Sequence, residues 1–260
     1  MNASLEALSS SLADAWRGFG TIPLPDAGGS PRSRADAFAV QDRMAELLGE
    51  RCVGWKVGAA VRAVQIFEGH DGPIVGRILA SRLHESPARI DASFAGYKVE
   101  CEFAFRFAKN LPPKAGGYAR AALEPDLMLH PGLELAGTRF APGARKATTH
   151  DAIADNGSGG GYVLGPAIPR WRQIDLATLG IDARIDGGEP IMVYTGEYRR
   201  DPVDILVETV NGLGERGIAL AAGDILSTGS LTLPTPLQPG QTYEARFGDL
   251  ATLRVTMARP

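Results

Sequence analysis

Ten residues, Lys98–Phe107, read KVECEFAFRF and constrain the fold more tightly than any other stretch of the chain. Val99, Cys101, Phe103, Phe105 and Phe107 fall on alternate positions, the period of a strand with one buried face. A face carrying three phenylalanines needs a substantial core to receive it. Glu100 and Glu102 then stand together on the opposite face, two residues apart. Such a pair is most often a solvated strand face. The alternative is a positive charge held between the two carboxylates.

The rest of the chain suits a mixed fold. Glycine and proline are frequent, 32 and 18 in 260 residues, and they break the sequence into many short segments, which disfavours a helical bundle. A net charge of -3 with scattered Lys and Arg argues against nucleic acid as a partner. Cys52 and Cys101 make no disulfide framework. The first twenty residues, MNASLEALSSSLADAWRGFG, lack the basic and apolar regions of a signal peptide, and no apolar run approaches membrane-spanning length. The expectation is a cytoplasmic protein with no membrane partner.

Leu5, Leu8, Leu12 and Trp16 form a helical stripe that Gly18 and Gly20 would end. Ser33 with Asp36 starts a second helix running to about Leu48. CVGWKVG (52–58) and PIVGRIL (73–79) read as short strands, and the stretch between them as a helix or flap. A further extended segment covers Leu127–Leu135, and ATTHDAIADNGSGGGYVLG passes from a short helix through a glycine-rich turn into a strand. Asp186-Gly187-Gly188 signals a hairpin within IDARIDGGEPIMVYTG. Asp201 and Pro202 open a helix with Val203, Leu206, Val207, Val210 and Leu213 on its buried stripe. The tail alternates again as strands. A boundary between 81 and 93 divides the chain into an N-terminal helical and α/β subdomain, 1–85, and a β-rich domain, 86–260.

Glu134 lies in PGLELAG between Leu133 and Leu135, which point the other way. If this segment runs beside Lys98–Phe107, three carboxylates converge. Burial and like charge both penalise their ionisation unless a cation is present. The donor set is all oxygen, with no Cys/His cluster at zinc spacing, so a bound metal would be hard: Mg²⁺, with Mn²⁺ as the alternative.

Several segments, in order, resemble the family of 2-keto-4-pentenoate hydratase, 2-oxohept-4-ene-1,7-dioate hydratase and 4-oxalocrotonate decarboxylase, within the fumarylacetoacetate hydrolase superfamily. They are AFAVQDRMAELL, GWKVG, KVECEFAFRFAKNLP, GLELAGTRF, ADNGSGGGYVLG, and LAAGDILSTGSL followed by PLQPGQTYEARFGDLATLRV. The resemblance implies an α+β fold, a mixed β-roll preceded by the smaller N-terminal α/β segment. It implies Glu100, Glu102 and Glu134 as metal ligands, and Lys56 as a catalytic and substrate-binding residue near the substrate's carboxylate and keto end. It places Asn156, Ser158, Thr228, Gly229 and Ser230 on the pocket wall. It also implies a homo-oligomer, to which FAFRF and Trp171 could lend apolar surface.

The implied activity is that of a metal-dependent lyase on a 2-oxo or 2-hydroxydienoic carboxylic acid, by hydration or decarboxylation. Acylpyruvate hydrolysis and a catalytically silent 2-oxo-acid-binding homologue are the alternatives. His70, two residues from Glu68 at the end of the flap, is the proton carrier suggested by position. Where the family commonly has Pro-Asp-aromatic-Gly, this chain reads Pro73-Ile74-Val75-Gly76, and isoleucine carries no proton. Arg62, Arg77 and Arg106 are the arginines considered for a second substrate carboxylate.

Overall fold

The structure is a computed structural model that describes every residue of the chain except Ala27, Ala95 and Ala144. In chain order the elements begin with α1 (Ala3–Gly18), β1 (Ile22–Pro23), α2 (Arg34–Leu48), β2 (Cys52–Gly58), α3 (Arg62–Glu68), β3 (Ile74–Leu79), β4 (Leu83–Glu85) and β5 (Ala88–Ile90). They continue with β6 (Lys98–Phe107), α4 (Arg120–Leu123), β7 (Leu127–Ala136), β8 (Phe140–Ala141), α5 (Thr149–Ala154), β9 (Gly159–Leu164) and β10 (Ile181–Ile185). The chain closes with α6 (Pro202–Glu215), β11 (Ile225–Ser230), β12 (Thr235–Pro236), β13 (Thr242–Phe247) and β14 (Ala251–Met257). Among the described residues no helix is long and apolar enough to cross a membrane.

An eight-stranded sheet runs β3-β2-β11-β6-β7-β9-β4, with β12 also pairing on β6. Its odd-numbered face along β6 packs onto a second sheet, β10-β13-β14-β5, and onto α6. Phe103 meets Phe247 at 5.8 Å between ring centroids, and Phe105 meets Trp171 at 5.1 Å. Each such side chain removed from water contributes about 1.5–3 kcal/mol. The FAFRF phenylalanines and Trp171 are therefore interior and supply no surface to an oligomer, correcting the sequence expectation. The other face of the sheet carries the glutamates, with Ile78, Ala104, Tyr162, Leu164 and Ile225 filling a small apolar cluster. Strands β2, β3 and β4 lie in the same sheet as β6, β7 and β9, while α1, α2 and α5 share an apolar cluster with residues of β2 and β3.

Local signals explain most boundaries. The Asn2 side chain caps α1 by accepting from the Leu5 amide, and Ser33 caps α2 by accepting from the Asp36 amide. Asp201 accepts from the Val203 amide at the start of α6. Helix α1 stops at Phe19, which takes the left-handed conformation (φ 50°) expected of a glycine. Its ring packs edge-on to Phe94 at 5.0 Å, a contact that offsets the strain. The hairpin expected at Asp186–Gly188 is half present. The turn forms, but residues 189–195 make only isolated contacts, and β10 pairs instead with β13. Pairing with β13 buries Ala183 in the core, which a solvent-facing hairpin arm would not.

Candidate active site

Strands β6 and β7 pair antiparallel with Glu100 directly opposite Glu134 and Glu102 opposite Gly132. Like charges opposed in this way repel. The three carboxylates offer oxygens that all lie within 4.8 Å of one another. Gly132 permits the arrangement, because a Cβ there would fall 2.1 Å from the Tyr162 hydroxyl.

Lys56 projects from β2 into this cluster. Its Nζ is 2.9 Å from Glu134 Oε1 and donates to the Gly157 carbonyl at 2.7 Å. Burial works to lower its pKa, but Glu134, Glu100 and Glu102 outweigh burial and hold the ammonium charged. One lysine cannot answer three carboxylates. Burial first, and then Glu134, push Glu100 up to about 8; Glu102 is raised well above its ordinary value by burial, Glu134 and Glu100. Neither oxygen of Glu102 has a hydrogen-bond partner, although the side chain is fully buried. Buried polar atoms are almost always paired. An all-oxygen donor set with two orphaned buried oxygens fits a hard divalent cation.

The lysine's acceptor is held by an unusual turn. Asn156, Gly157 and Ser158 all adopt positive φ, 51°, 64° and 54°. Asn156 braces this turn: its Oδ1 accepts from the Arg77 amide at 2.7 Å and its Nδ2 donates to the Arg77 carbonyl at 3.0 Å. A Cβ at Gly76 would meet the Asn156 carbonyl at 2.1 Å, so the β3 backbone and the turn are in direct contact. Ser158 lines the adjacent cavity, whereas Asn156 does not. From β11, Thr228, Gly229 and Ser230 form another wall, where the pairing with β6 is irregular and Gly229 takes φ 94°. Thr228 is fixed by donating to the Phe103 carbonyl at 3.0 Å.

The cavity has a volume of about 140 Å³, and Lys56 and Glu100 open onto it. His70, Glu68 and Ile74 also line it. His70 Nε2 lies 3.9 Å from Glu68 Oε2, and its Nδ1 is 3.3 Å from the Thr149 hydroxyl. Burial raises the Glu68 pKa and lowers that of His70.

None of the arginines singled out in the sequence lines this cavity. Arg62 donates to Gln65, and Arg77 pairs with Asp42 and stacks on Trp55. Arg106 donates to the Gly223 carbonyl and borders a separate groove beside His130. The cavity's arginines are Arg199 and Arg200, which sequence reasoning missed. Their signal was an adjacent cationic pair directly before the Asp201-Pro202 helix start.

A scan against protein-family models finds no match. The 2-keto-4-pentenoate hydratase of Paraburkholderia xenovorans (strain LB400) is 28% identical over 226 residues, 84% of this chain and 82% of its own. A 4-oxalocrotonate decarboxylase of a Pseudomonas species is 28% identical over 209 residues, 79% of this chain and 78% of its own. Among solved structures, 4-oxalocrotonate decarboxylase from Pseudomonas putida G7, complexed with magnesium and adipate, superposes with a TM-score of 0.85 at 22% identity. That match covers 99% of this chain and 98% of the other. Fumarylpyruvate hydrolase from Pseudomonas aeruginosa, in complex with Mn²⁺ and pyruvate, gives 0.58 at 17% identity, covering 81% of this chain and 91% of its own. The chain has the fumarylacetoacetate hydrolase fold and is a relative of the 2-keto-4-pentenoate hydratases and 4-oxalocrotonate decarboxylases.

Proposed function

We propose that this protein is a divalent-metal-dependent lyase acting on a 2-oxo or 2-hydroxydienoic acid through its enolate, a 2-keto-4-pentenoate hydratase-like enzyme of aromatic catabolism. The observation that carries this reading is Glu102, fully buried with both oxygens unpartnered beside Glu100 and Glu134. These three carboxylates are the ligands for Mg²⁺ or Mn²⁺, which when bound supplies Lewis-acid stabilisation of enolate charge.

Lys56 binds the carboxylate and keto end of the acid. Its ammonium is already fixed by Glu134 and the Gly157 carbonyl, so it meets developing negative charge with little reorganisation. Ser158, Thr228, Gly229 and Ser230 shape the wall, and Asn156 serves by holding the turn that positions Gly157. With Ile74 unable to carry a proton, Glu68 and His70 are the acid–base groups. Their pKa values are displaced toward one another, which suits proton exchange with a substrate in the cavity that both line. Hydration and decarboxylation share the enolate and part at the group attached beyond it. The family further implies a homo-oligomer.

The test is proton–deuterium exchange at C3 of 2-oxopentanoate, followed by NMR in heavy water. Exchange above that caused by free Mg²⁺ is expected with Mg²⁺ present, and its loss with chelator or with Glu100→Gln. Mg²⁺ binding without exchange would overturn the reading in favour of an acylpyruvate hydrolase or a silent binding protein.

A further inference from the structure

The bare oxygens of Glu102 have neighbours in the same condition. Tyr162 on β9 and Ser227 on β11 are also completely buried, and among the described residues neither hydroxyl has a hydrogen-bond partner. Both stand on the carboxylate face of the sheet, whose strand order β11-β6-β7-β9 puts one on either side of Glu102. Ser227 pairs with Ala104, the next residue of β6 on the same face as Glu102. Tyr162 pairs with Glu134 on β7 and lays its ring over Gly132, which lies directly opposite Glu102. Side chains opposed in this way have Cβ atoms about 4.5–5.5 Å apart. A Cβ on Gly132 would lie 2.1 Å from Tyr162 Oη. The phenol thus takes the place of the side chain that Gly132 lacks, within reach of the Glu102 carboxylate.

Two donors without acceptors beside an acceptor without donors form a matched set. Phenol and serine hydroxyls each offer one proton, and an ionised carboxylate has about four lone-pair sites. Hydrogen bonds from hydroxyl to carboxylate are short and strong, and such outer partners fix how a ligating side chain presents itself to a metal. With lone pairs taken up by Tyr162 and Ser227, Glu102 has one oxygen left to offer a cation. That restriction suits Mg²⁺, which demands near-octahedral coordination, and disfavours Ca²⁺, which takes more ligands and accepts bidentate carboxylates. We infer that Tyr162, assisted by Ser227, is a positioning residue that donates to Glu102 when the cation is bound, holds it as a one-oxygen ligand and biases the site toward Mg²⁺ over Ca²⁺. This deepens the proposed function and rests on its reading of Glu100, Glu102 and Glu134 as the metal ligands.

The experiment titrates the chelator-freed chain with Mg²⁺ and, separately, with Ca²⁺ by calorimetry, for the wild type, Tyr162→Phe and Ser227→Ala. Tyr162→Phe keeps the ring over Gly132 and removes only the hydroxyl. Its Mg²⁺ affinity should fall about tenfold to a hundredfold, the effect of losing an outer partner of a metal ligand. Its Ca²⁺ affinity should fall less, so the ratio of the two affinities drops. Ser227→Ala should give a smaller loss in the same direction. Mg²⁺ should also shift the ultraviolet absorption of a tyrosine in the wild type, and Tyr162→Phe should remove that shift. Unchanged Mg²⁺ affinity in Tyr162→Phe, an equal loss for both cations, or a tyrosine shift that survives the substitution would overturn the assignment. C3 exchange is followed alongside. Tyr162-dependent Mg²⁺ binding without exchange would sink the lyase reading and keep the assignment; exchange with Mg²⁺ affinity indifferent to Tyr162 would do the reverse.

Discussion

Two buried ionic centres lie next to each other in this protein, and they are built to opposite standards. In the first, Arg139 and Asp155 are both completely buried, and each of their groups is answered. Arg139 Nε donates to Asp155 Oδ1 at 2.5 Å, Nη1 to the Gly159 carbonyl at 2.7 Å and Nη2 to the Asp155 carbonyl at 2.6 Å. The Arg139 amide and the Thr138 hydroxyl both donate to Asp155 Oδ2. In the second centre, Lys56 faces three glutamates and leaves both oxygens of Glu102 bare. The turn that begins just after Asp155 touches both centres, since Gly157 accepts from Lys56. A fold able to satisfy Arg139 so fully is not short of partners. The bare carboxylates mark a place shaped for something other than stability.

The contrast can be broken most forcefully at Asp155. Asp155→Ala leaves Arg139 charged and unpaired in the interior and should cost about 3–5 kcal/mol, measured by urea denaturation in chelator. A loss near zero would make the first centre dispensable. Gly76→Ala pushes a methyl into the Asn156 carbonyl and should cost about 1–3 kcal/mol by overpacking. It should also slow C3 exchange, because the displaced turn carries the acceptor of Lys56. Exchange at the wild-type rate would show that Lys56 needs no such anchor.

The second centre should respond the other way. Glu102→Gln replaces a buried carboxyl whose oxygens have no hydrogen-bond partner by a side chain of the same shape, so the metal-free protein should lose less than about 0.5 kcal/mol or become more stable. The same variant should lose stabilisation by Mg²⁺. A loss like that of Asp155→Ala would show the carboxylate to be structural. The pH dependence sharpens the difference further. With a folded pKa of about 8 against an ordinary 4.5, Glu100 binds more protons folded than unfolded across that interval. Its contribution is fully present below about pH 4.5 and is lost as pH rises through about 8. Melting of the chelated protein between pH 5 and 8 should show a decline that Glu100→Gln flattens. Identical profiles would rule out this proton.

The strands of the carboxylate cluster were legible because alternation survives burial: Val99 through Phe107 fill one face and leave Glu100 and Glu102 on the other. Glu134 was legible for the same reason, with Leu133 and Leu135 pointing to the opposite face. The helix caps Asn2, Ser33 and Asp201 act across two or three residues, and the sequence readings at Ser33 and Asp201 rested on such short-range signals. The arginine wall was not legible, because proximity of Arg199 to Lys56 depends on how α6 packs and not on any local pattern. Arg77 looked equally available in the sequence, yet Asp42 and Trp55 hold it elsewhere. Asn156 sits in a turn of ordinary composition, and only the approach of β3 shows that its amide supports backbone. Phe19 ends a helix where two glycines stood nearby, because Phe94 and Arg82 give its ring a packing site.

The most direct measurement is calorimetric titration of the chelator-freed protein with Mg²⁺ at pH 7, repeated in two buffers of different ionisation enthalpy. Saturable binding of one ion per chain with release of protons is expected, since raised carboxyls must deprotonate to act as ligands. Glu102→Gln should abolish it, and Arg199→Met should leave it intact. Absence of binding, or binding that releases no proton and survives Glu102→Gln, would contradict a cation site at Glu100, Glu102 and Glu134.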